Sequence, residues 1–439
     1  MTQEFTMKKT DIISKISDKS QRICVVGMGY VGLPLALEFA RHFSVVGYDV
    51  NVELIDNLKQ GIDPRGEVAD SAFANVDIQY TSNENDLKNI SIWIVAVPTP
   101  ITKLKSPDLR PLFSASDTIG RNLESGSLVI YESTVYPGCT EEDCLTRLLK
   151  SSSLSYPEDF NIAYSPERIN PGDKVHTLTN TVKIVSGDTN ESLASVTQLY
   201  ETIIEAGVHP APTIKTAEAA KIIENTQRDL NIAFMNEISI IFDLMDINTH
   251  DVLEAAGTKW NFLKFHPGLV GGHCIGVDPY YLTYKSEELG YKPEIILAGR
   301  KVNDNLSKHV VKKILGHLSY NNIQRDKARV LVLGITFKEN VSDIRNSKVV
   351  DVVHELQNYN VAVDIYDPNV NQSELKEVHN LDAIEDFGTN YDCIIAAVKH
   401  SDFDSFTADQ FNSMCNTDAL FIDIKGSYRN KTQLEYWAL

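Results

Sequence analysis

Ile23-Cys24-Val25-Val26-Gly27-Met28-Gly29-Tyr30-Val31-Gly32 is the stretch on which the fold turns. The apolar run reads as a buried strand, and the Gly-x-Gly-x-x-Gly after it reads as the turn into a helix over Leu33 to His42. Gly27 permits the tight turn, Gly29 lets a pyrophosphate approach the backbone, and Gly32 lets helix and strand pack closely. The helix N-terminus then turns its partial positive charge, and the amides around Tyr30 and Val31, toward those phosphates. Val45 to Tyr48 reads as the next strand. Asp49 closes it, where a carboxylate accepts hydrogen bonds from an adenine ribose and repels a 2′-phosphate. The expected ligand is therefore NAD rather than NADP.

Outward from this loop, strands are expected at Ile92 to Val97, Leu128 to Tyr131 and Ile162 to Tyr164, with amphipathic segments such as Val52 to Lys59 between several of them. Apolar strands alternating with helices imply a parallel sheet covered on both faces. The character changes near Thr213. Residues 214–246 hold no Gly or Pro, and apolar residues recur at helical spacing from Ile222 to Phe242. That predicts one long helix, or two shorter ones in a bundle. From Ala328 the alternation returns, with strands at 330–333, 361–366, 394–398 and 420–424 and a helix over Lys348 to Asn358. VVGYD at 45–49 rhymes with VDIYD at 363–367, and IWIVAV at 92–97 with CIIAAV at 393–398. The predicted class is α/β, with two Rossmann-like doubly wound domains flanking a helical one. The expected boundaries are a loosely docked tail (1–20), an NAD-binding domain (21–212), a central helical domain (213–322) and a second Rossmann-like domain (323–439).

The 439 residues carry a formal charge of −19, which disfavours nucleic acid and anionic membrane surfaces as partners. No apolar stretch approaches the ~20 residues that span a bilayer, and the polar N-terminus lacks an apolar signal core. Six scattered cysteines without a CxxC pair point to a reducing cytoplasm, and no histidine–cysteine cluster suggests a metal.

Gly271-Gly272-His273-Cys274-Ile275-Gly276-Val277-Asp278-Pro279 is the second informative stretch. Glycines around one cysteine let a substrate carbon approach the backbone. A thiolate near a nicotinamide suggests oxidation at the aldehyde level, through a thioester that water hydrolyses. Such chemistry needs an oxyanion stabiliser and a water activator. Lys221 and Asn225 project from one face of the long helix, one turn apart. Ser133-Thr134 and Ser165-Pro166-Glu167-Arg168 follow the fourth and fifth strands, at the carboxyl edge where doubly wound folds place their sites. The C-terminal unit has Gly334-Ile335-Thr336-Phe337-Lys338 in place of a glycine cradle, so nucleotide there would be held by side chains such as Lys338 and Arg345.

GMGYVGLP, AVPTP, ESTVYPG, SPERI, KIIENTQRDLNIAFMNE, GGHCIGVDPYYL and GITFKENVSDIRNS, in this order over roughly residues 21–435, resemble the UDP-glucose/GDP-mannose dehydrogenase family. His before the cysteine and Asp-Pro after it are similar to the branch acting on UDP-N-acetylhexosamines. The resemblance implies a four-electron oxidation of the sugar C6 alcohol to a carboxylate by way of a Cys274 thioester, with two NAD reduced per sugar. Cys274 matches the nucleophile, Lys221 the oxyanion-stabilising amine, Asn225 the oxyanion and substrate contact, and Glu167 the acid tied to water activation. Thr134 matches a residue near that water and the cofactor, and Asp278 the carboxylate beside Lys221. Pro98, Thr99, Ser133 and Arg345 match further cofactor contacts. Arg168, Ile169, Arg228, Gly271, Phe337 and Lys338 match substrate contacts. The family also implies a homodimer through the long helix, and a product that usually enters bacterial surface polysaccharide.

One departure concerns the glucose branch, which carries an Arg before the cysteine loop. Here that stretch is Gly257-Thr258-Lys259-Trp260-Asn261, without Arg, and Lys259 is the candidate substitute. The alternatives are UDP-glucose or UDP-ManNAc as substrate and, more distantly, a two-electron dehydrogenase of the 6-phosphogluconate or β-hydroxyacid type.

Overall fold

The structure, a computed structural model, describes residues 12–66, 68–168 and 175–439. It divides into two compact units, one running to Glu224 and including Tyr280–Tyr291, the other comprising Asn225–Pro279 and Lys292–Leu439. The boundary falls inside one continuous helix, Ile214–Leu244, so the single-helix reading of that segment holds.

The first unit is built on an eight-stranded sheet: β1 (Arg22–Val26), β2 (Val45–Tyr48), β3 (Ile78–Thr81), β4 (Ile90–Val95), β5 (Ser127–Tyr131), β6 (Phe160–Tyr164), β7 (Lys183–Gly187) and β8 (Val208–Pro210). Their order is β3-β2-β1-β4-β5-β6-β7-β8, and the first six are the doubly wound order, all parallel. β7 runs antiparallel to β6, with Tyr164 opposite Ser186, and β8 is parallel to β7, so the last two strands run against the first six. The central strands are buried along their length because helices cover both faces. Where β1 ends, Gly27 takes φ +98°, and a Cβ there would stand 2.7 Å from the Ala96 carbonyl oxygen. A Cβ on Gly32, the first residue of helix Gly32–Ala40, would stand 1.8 Å from the Gly27 carbonyl oxygen. Both glycines are therefore demanded by packing, before any ligand is considered.

The reading of 1–20 as a loose tail does not hold for Ile12–Ser17. That segment is a short helix whose Ile12, Ile13 and Ile16 join the core of this unit, an apolar face that IISKIS provides at helical spacing. Residues 1–11 lie outside the described ones.

The second unit carries a five-stranded parallel sheet: β9 (Arg329–Leu333), β10 (Ala362–Tyr366), β11 (Tyr391–Ala396), β12 (Cys415–Asp423) and β13 (Glu435–Ala438), in the order β10-β9-β11-β12-β13. Helices Lys348–Asn358 and Glu294–Tyr320 pack on it through Val349, Val352, Val353, Leu306, Val310 and Ile314. A buried Arg300–Asp229 pair at 2.5 Å, with Asn303 donating to the same Asp229 oxygen at 2.7 Å, ties helix Glu294–Tyr320 to the long helix.

Candidate active site

In the first unit the glycine loop is closed by Asp49. Its Oδ2 accepts from the Met28 amide at 2.8 Å and its Oδ1 from Asn51 at 2.9 Å. The carboxylate stays partly exposed, with lone pairs left for a ribose. Above Gly29 the backbone is open: the nearest atom to a Cβ built there is a nitrogen of Arg65, at 3.7 Å. A strained turn, an uncovered second glycine, a helix N-terminus and a free-edged carboxylate fit a dinucleotide. Arg65 was missed in the sequence. It donates to the Met28 carbonyl at 2.9 Å, and so brings a cation to the loop from a turn with no motif of its own.

Ser133 and Thr134 follow β5, as predicted. Ser133 is buried and donates to the Val97 carbonyl at 2.7 Å, which joins this edge to Pro98 and Thr99. Thr134 is half-buried. Glu167 follows β6 and is buried. In the β5–β6 register, Tyr131 stands opposite Tyr164, so Thr134 and Glu167 leave the sheet three residues beyond one aligned pair. Arg168 is engaged within this unit, 2.7 Å from the Glu224 carboxylate and 2.9 Å from the Val182 carbonyl. Ile169 lies outside the described residues. Lys221 is buried on the long helix, one turn before Asn225.

The second unit brings the cysteine loop against the loop that follows β9. A Cβ on Gly272, at φ +82°, would meet the Phe337 ring at 2.8 Å, and one on Gly271 would meet the Asn346 carbonyl oxygen at 2.6 Å. These two glycines are therefore demanded by loop-on-loop packing, before any ligand is considered; Gly276 is more open, its nearest atom at 3.6 Å. Cys274 is half-buried, while Cys24, Cys139, Cys144 and Cys393 are buried. Its carbonyl accepts from Val277 at 3.1 Å and Asp278 at 2.8 Å, fixing the thiol at the start of helix Asp278–Glu288. Asn225 donates to Asp278 Oδ2 at 2.6 Å and accepts from Arg228 at 3.1 Å. The amide oxygen of Asn225 thus faces a cation, and its nitrogen faces a carboxylate.

A cavity of about 180 Å³ opens at the carboxyl ends of β9, β11 and β12, lined by Gly271, Phe337, Lys338, Lys348 and Lys425. Arg345 forms a fork with Asp343, 2.7 Å at the closer oxygen, and Asp343 also lies 3.5 Å from His273. Burial pushes the Asp343 carboxyl up, but bonds from His273 and Arg345 outweigh it and hold it well below the usual range. Lys259 and its neighbour Trp260 are exposed.

Residues 21–204, 215–305 and 331–430 match the NAD binding, central and UDP binding domains of one protein family. The chain belongs to the UDP-glucose/GDP-mannose dehydrogenase family. It is 51% identical over 412 residues to a UDP-N-acetyl-D-glucosamine 6-dehydrogenase of Pseudomonas aeruginosa, covering 93% of this chain and 97% of that one. It is 50% identical over 408 residues to protein CapL of Staphylococcus aureus, covering 93% and 96%. A solved UDP-D-ManNAc dehydrogenase from Pyrococcus horikoshii superposes with a TM-score of 0.86 at 29% identity, covering 95% and 99%. The chain is thus an NAD-dependent nucleotide-sugar dehydrogenase with an NAD-binding and a UDP-binding Rossmann module.

Two buried groups beside the dehydrogenase motifs escaped the sequence reading. Glu132, immediately before Ser133, pairs with Lys183 Nζ at 2.7 Å and accepts from the Tyr200 hydroxyl, all three fully or almost fully buried. Burial pushes the Glu132 carboxyl up, against the pull of Lys183. Glu218, three residues before Lys221, accepts from the amides of Gly138 at 2.5 Å and Thr140 at 2.9 Å. Neither has a signal in one sequence, because a buried and a solvated acid look alike there. Among the described residues no group of histidine, cysteine, aspartate and glutamate could hold a metal ion, and no helix is long and apolar enough to cross a membrane.

Proposed function

We propose that this dehydrogenase oxidises C6 of a UDP-N-acetylhexosamine, UDP-GlcNAc or UDP-GalNAc, to the uronic acid by a four-electron route through Cys274. The observation that carries this reading is the packing of Gly271 and Gly272 on Asn346 and Phe337. It puts the thiol-bearing loop on the rim of the lysine-lined cavity suited to a pyrophosphate. The half-identical relative named for UDP-N-acetyl-D-glucosamine supports the sugar class.

Bound NAD supplies the hydride acceptor, used twice per sugar, and Gly27, Gly29, Gly32 and Asp49 would hold it. The Cys274 thiolate adds to the C6 aldehyde left by the first oxidation, forming a C–S bond, and the oxygen takes the charge. The Lys221 ammonium and the Asn225 amide stabilise that oxyanion, Asn225 being oriented by Asp278 and Arg228. Loss of the second hydride leaves a thioester on Cys274. Glu167, with Thr134, takes a proton from the water that attacks it, and Cys274 leaves as thiolate. In balance, the alcohol, one water and two NAD give the carboxylate, two NADH and three protons. The domain boundaries expected from the sequence serve this division: cofactor in 21–212, thiol in 213–322, nucleotide in 323–439.

Exposed Ile223, Phe234 and Ile241 on one face of the long helix support a homodimer through that helix. The thiol requires a reducing compartment, which supports a cytoplasmic enzyme supplying a surface polysaccharide. The test is mass spectrometry of the products from a panel of UDP-sugars, with NADH counted by absorbance. Two NADH and a mass gain of one oxygen less two hydrogens are expected with UDP-GlcNAc or UDP-GalNAc. One NADH with an aldehyde product, or turnover only of UDP-glucose or UDP-ManNAc, would overturn the assignment.

A further inference from the structure

The two Rossmann modules match bond for bond at their first turn. In the first, Gly27 at φ +98° donates to the Tyr48 carbonyl at 2.8 Å, Met28 to Asp49 Oδ2 at 2.8 Å, and Asn51 to Asp49 Oδ1 at 2.9 Å. In the second, Gly334 at φ +85° donates to the Tyr366 carbonyl at 2.9 Å, Ile335 to Asp367 Oδ2 at 2.7 Å, and Asn369 to Asp367 Oδ1 at 2.8 Å. Ala96 donates to Val26 as Ala397 does to Leu333. Counting on from these two alanines aligns Thr99 with His400.

At that position the modules part. His400 is fully buried, and its Nε2 lies 3.0 Å from Asp367 Oδ2 and 3.2 Å from the Thr336 hydroxyl. Its Nδ1 accepts from the Asn340 amide at 3.0 Å and faces the Asn369 side-chain nitrogen at 3.0 Å. A backbone N–H can only donate, so Nδ1 is the acceptor and the ring proton sits on Nε2, aimed at Asp367. Thr336 replaces the open second glycine, donating its amide to Asp367 at 3.1 Å and its hydroxyl to the Lys338 carbonyl at 3.0 Å. Burial pushes the Asp367 carboxyl up, but the bonds from His400 and the loop amides outweigh it and keep it ionised. The carboxylate that would serve a ribose in a dinucleotide module is here consumed by the protein itself.

We propose that His400 is the positioning residue of the UDP-binding loop: it occupies on Asp367 the place of a ribose, pins Gly334–Asn340 at both ring nitrogens, and so fixes Phe337 and Lys338 for the nucleotide. This rests on the reading that the second module takes the UDP end of the substrate. It also gives a reason why this module holds nucleotide by side chains: its glycine cradle has been closed from inside.

The probe is UDP alone, titrated by calorimetry into the full-length protein, with NADH binding followed by fluorescence in the same samples. His400→Ala is expected to weaken UDP at least tenfold and to raise KM for the UDP-sugar in parallel. NADH affinity should stay within twofold and kcat within threefold. His400→Asn keeps an acceptor for the Asn340 amide and should recover part of the affinity. Asp367→Asn should reproduce the UDP-specific loss. Unchanged UDP affinity in His400→Ala, or equal losses of UDP and NADH binding in all three variants, would overturn the proposal. The two readings fail differently: wild-type protein with no UDP affinity overturns the substrate reading and this one with it, whereas normal affinity in both proteins overturns this one alone.

Discussion

Glu218 offers a measurable pH dependence within the first unit. Its carboxylate lies between the long helix and the turn Gly138–Thr140, and burial pushes it up to about 7 even though two backbone amides donate to it. In the unfolded chain the same group titrates near 4.5. The folded state therefore binds more protons than the unfolded one between these values. The stabilising contribution is fully present below about 4.5 and is lost as pH rises through about 7. Each unit of difference is worth about 1.4 kcal/mol, so raising the pH from about 5 to 8 should cost about 2 to 3 kcal/mol through this one group. Glu218→Gln cannot titrate and should remove that slope while leaving the rest of the pH profile in place. The assay is urea unfolding at a series of pH values, followed by Trp93 fluorescence. Trp93 is buried in β4, and Trp260 and Trp437, both in the other unit, would be replaced by Phe. Parallel stability curves for wild type and Glu218→Gln between pH 5 and 8 would refute the reasoning.

Cys274→Ala should abolish steady-state NADH production, a loss of at least ~10³-fold, while calorimetry still finds UDP and NADH bound with near-normal affinity. Retained turnover would move the chemistry to a two-electron dehydrogenase. Lys183→Met leaves Glu132 buried without its cation and should lower the stability of the first unit by about 3 to 5 kcal/mol. The double variant with Glu132→Gln should regain most of that, and a double-mutant cycle with purely additive losses would deny the pair its coupling.

The glycine loop was legible because its residues answer to packing as well as to ligand: Gly27 and Gly32 have no room for a Cβ, so the pattern is forced at fixed spacing. β1, β2, β4, β5 and β6 were legible because both faces are covered, which leaves continuous apolar runs. β3, β7, β8 and β13 were not. IQYT, KIVSG, VHP and EYWA are short and mixed in polarity, and β3, β8 and β13 lie at sheet edges where one side needs no apolar cover. β12 was seen only from Leu420, since its first residues, Cys415 to Asp418, are polar and largely exposed. At the site, the cysteine loop and the Lys221–Asn225 spacing stood out in one dimension. Arg65, Lys183 and His400 did not, because each acts through a partner more than thirty residues away that only the fold brings near. The glycines beside Cys274 answer to a second demand that one sequence does not show: Gly271 packs on Asn346 and Gly272 on Phe337, on a loop some 65 to 75 residues on.

The charge balance places the two nucleotide sites in physical contrast. A protein of net charge −19 has no long-range attraction for a pyrophosphate, and screening confines any useful cation to about 8 Å at physiological salt. Each module must therefore build its own anion site, and they do so by opposite means. The first leaves its backbone uncovered at Gly29, supplies amides and a helix N-terminus, and adds Arg65 held on the Met28 carbonyl. The second has spent the amides of Ile335, Thr336, Phe337 and Asn340 on Asp367, Asp343 and His400, and sets lysines around its cavity instead. Lys348 is partly neutralised by Asp351 at 2.8 Å, and Lys338 and Lys425 line the same cavity. An amide cradle accepts any pyrophosphate that fits the turn, whereas lysines beside an aromatic ring are set by the geometry of the loops that carry them. That difference suits a module for a common cofactor and a module for a particular nucleotide sugar, built from the same first turn.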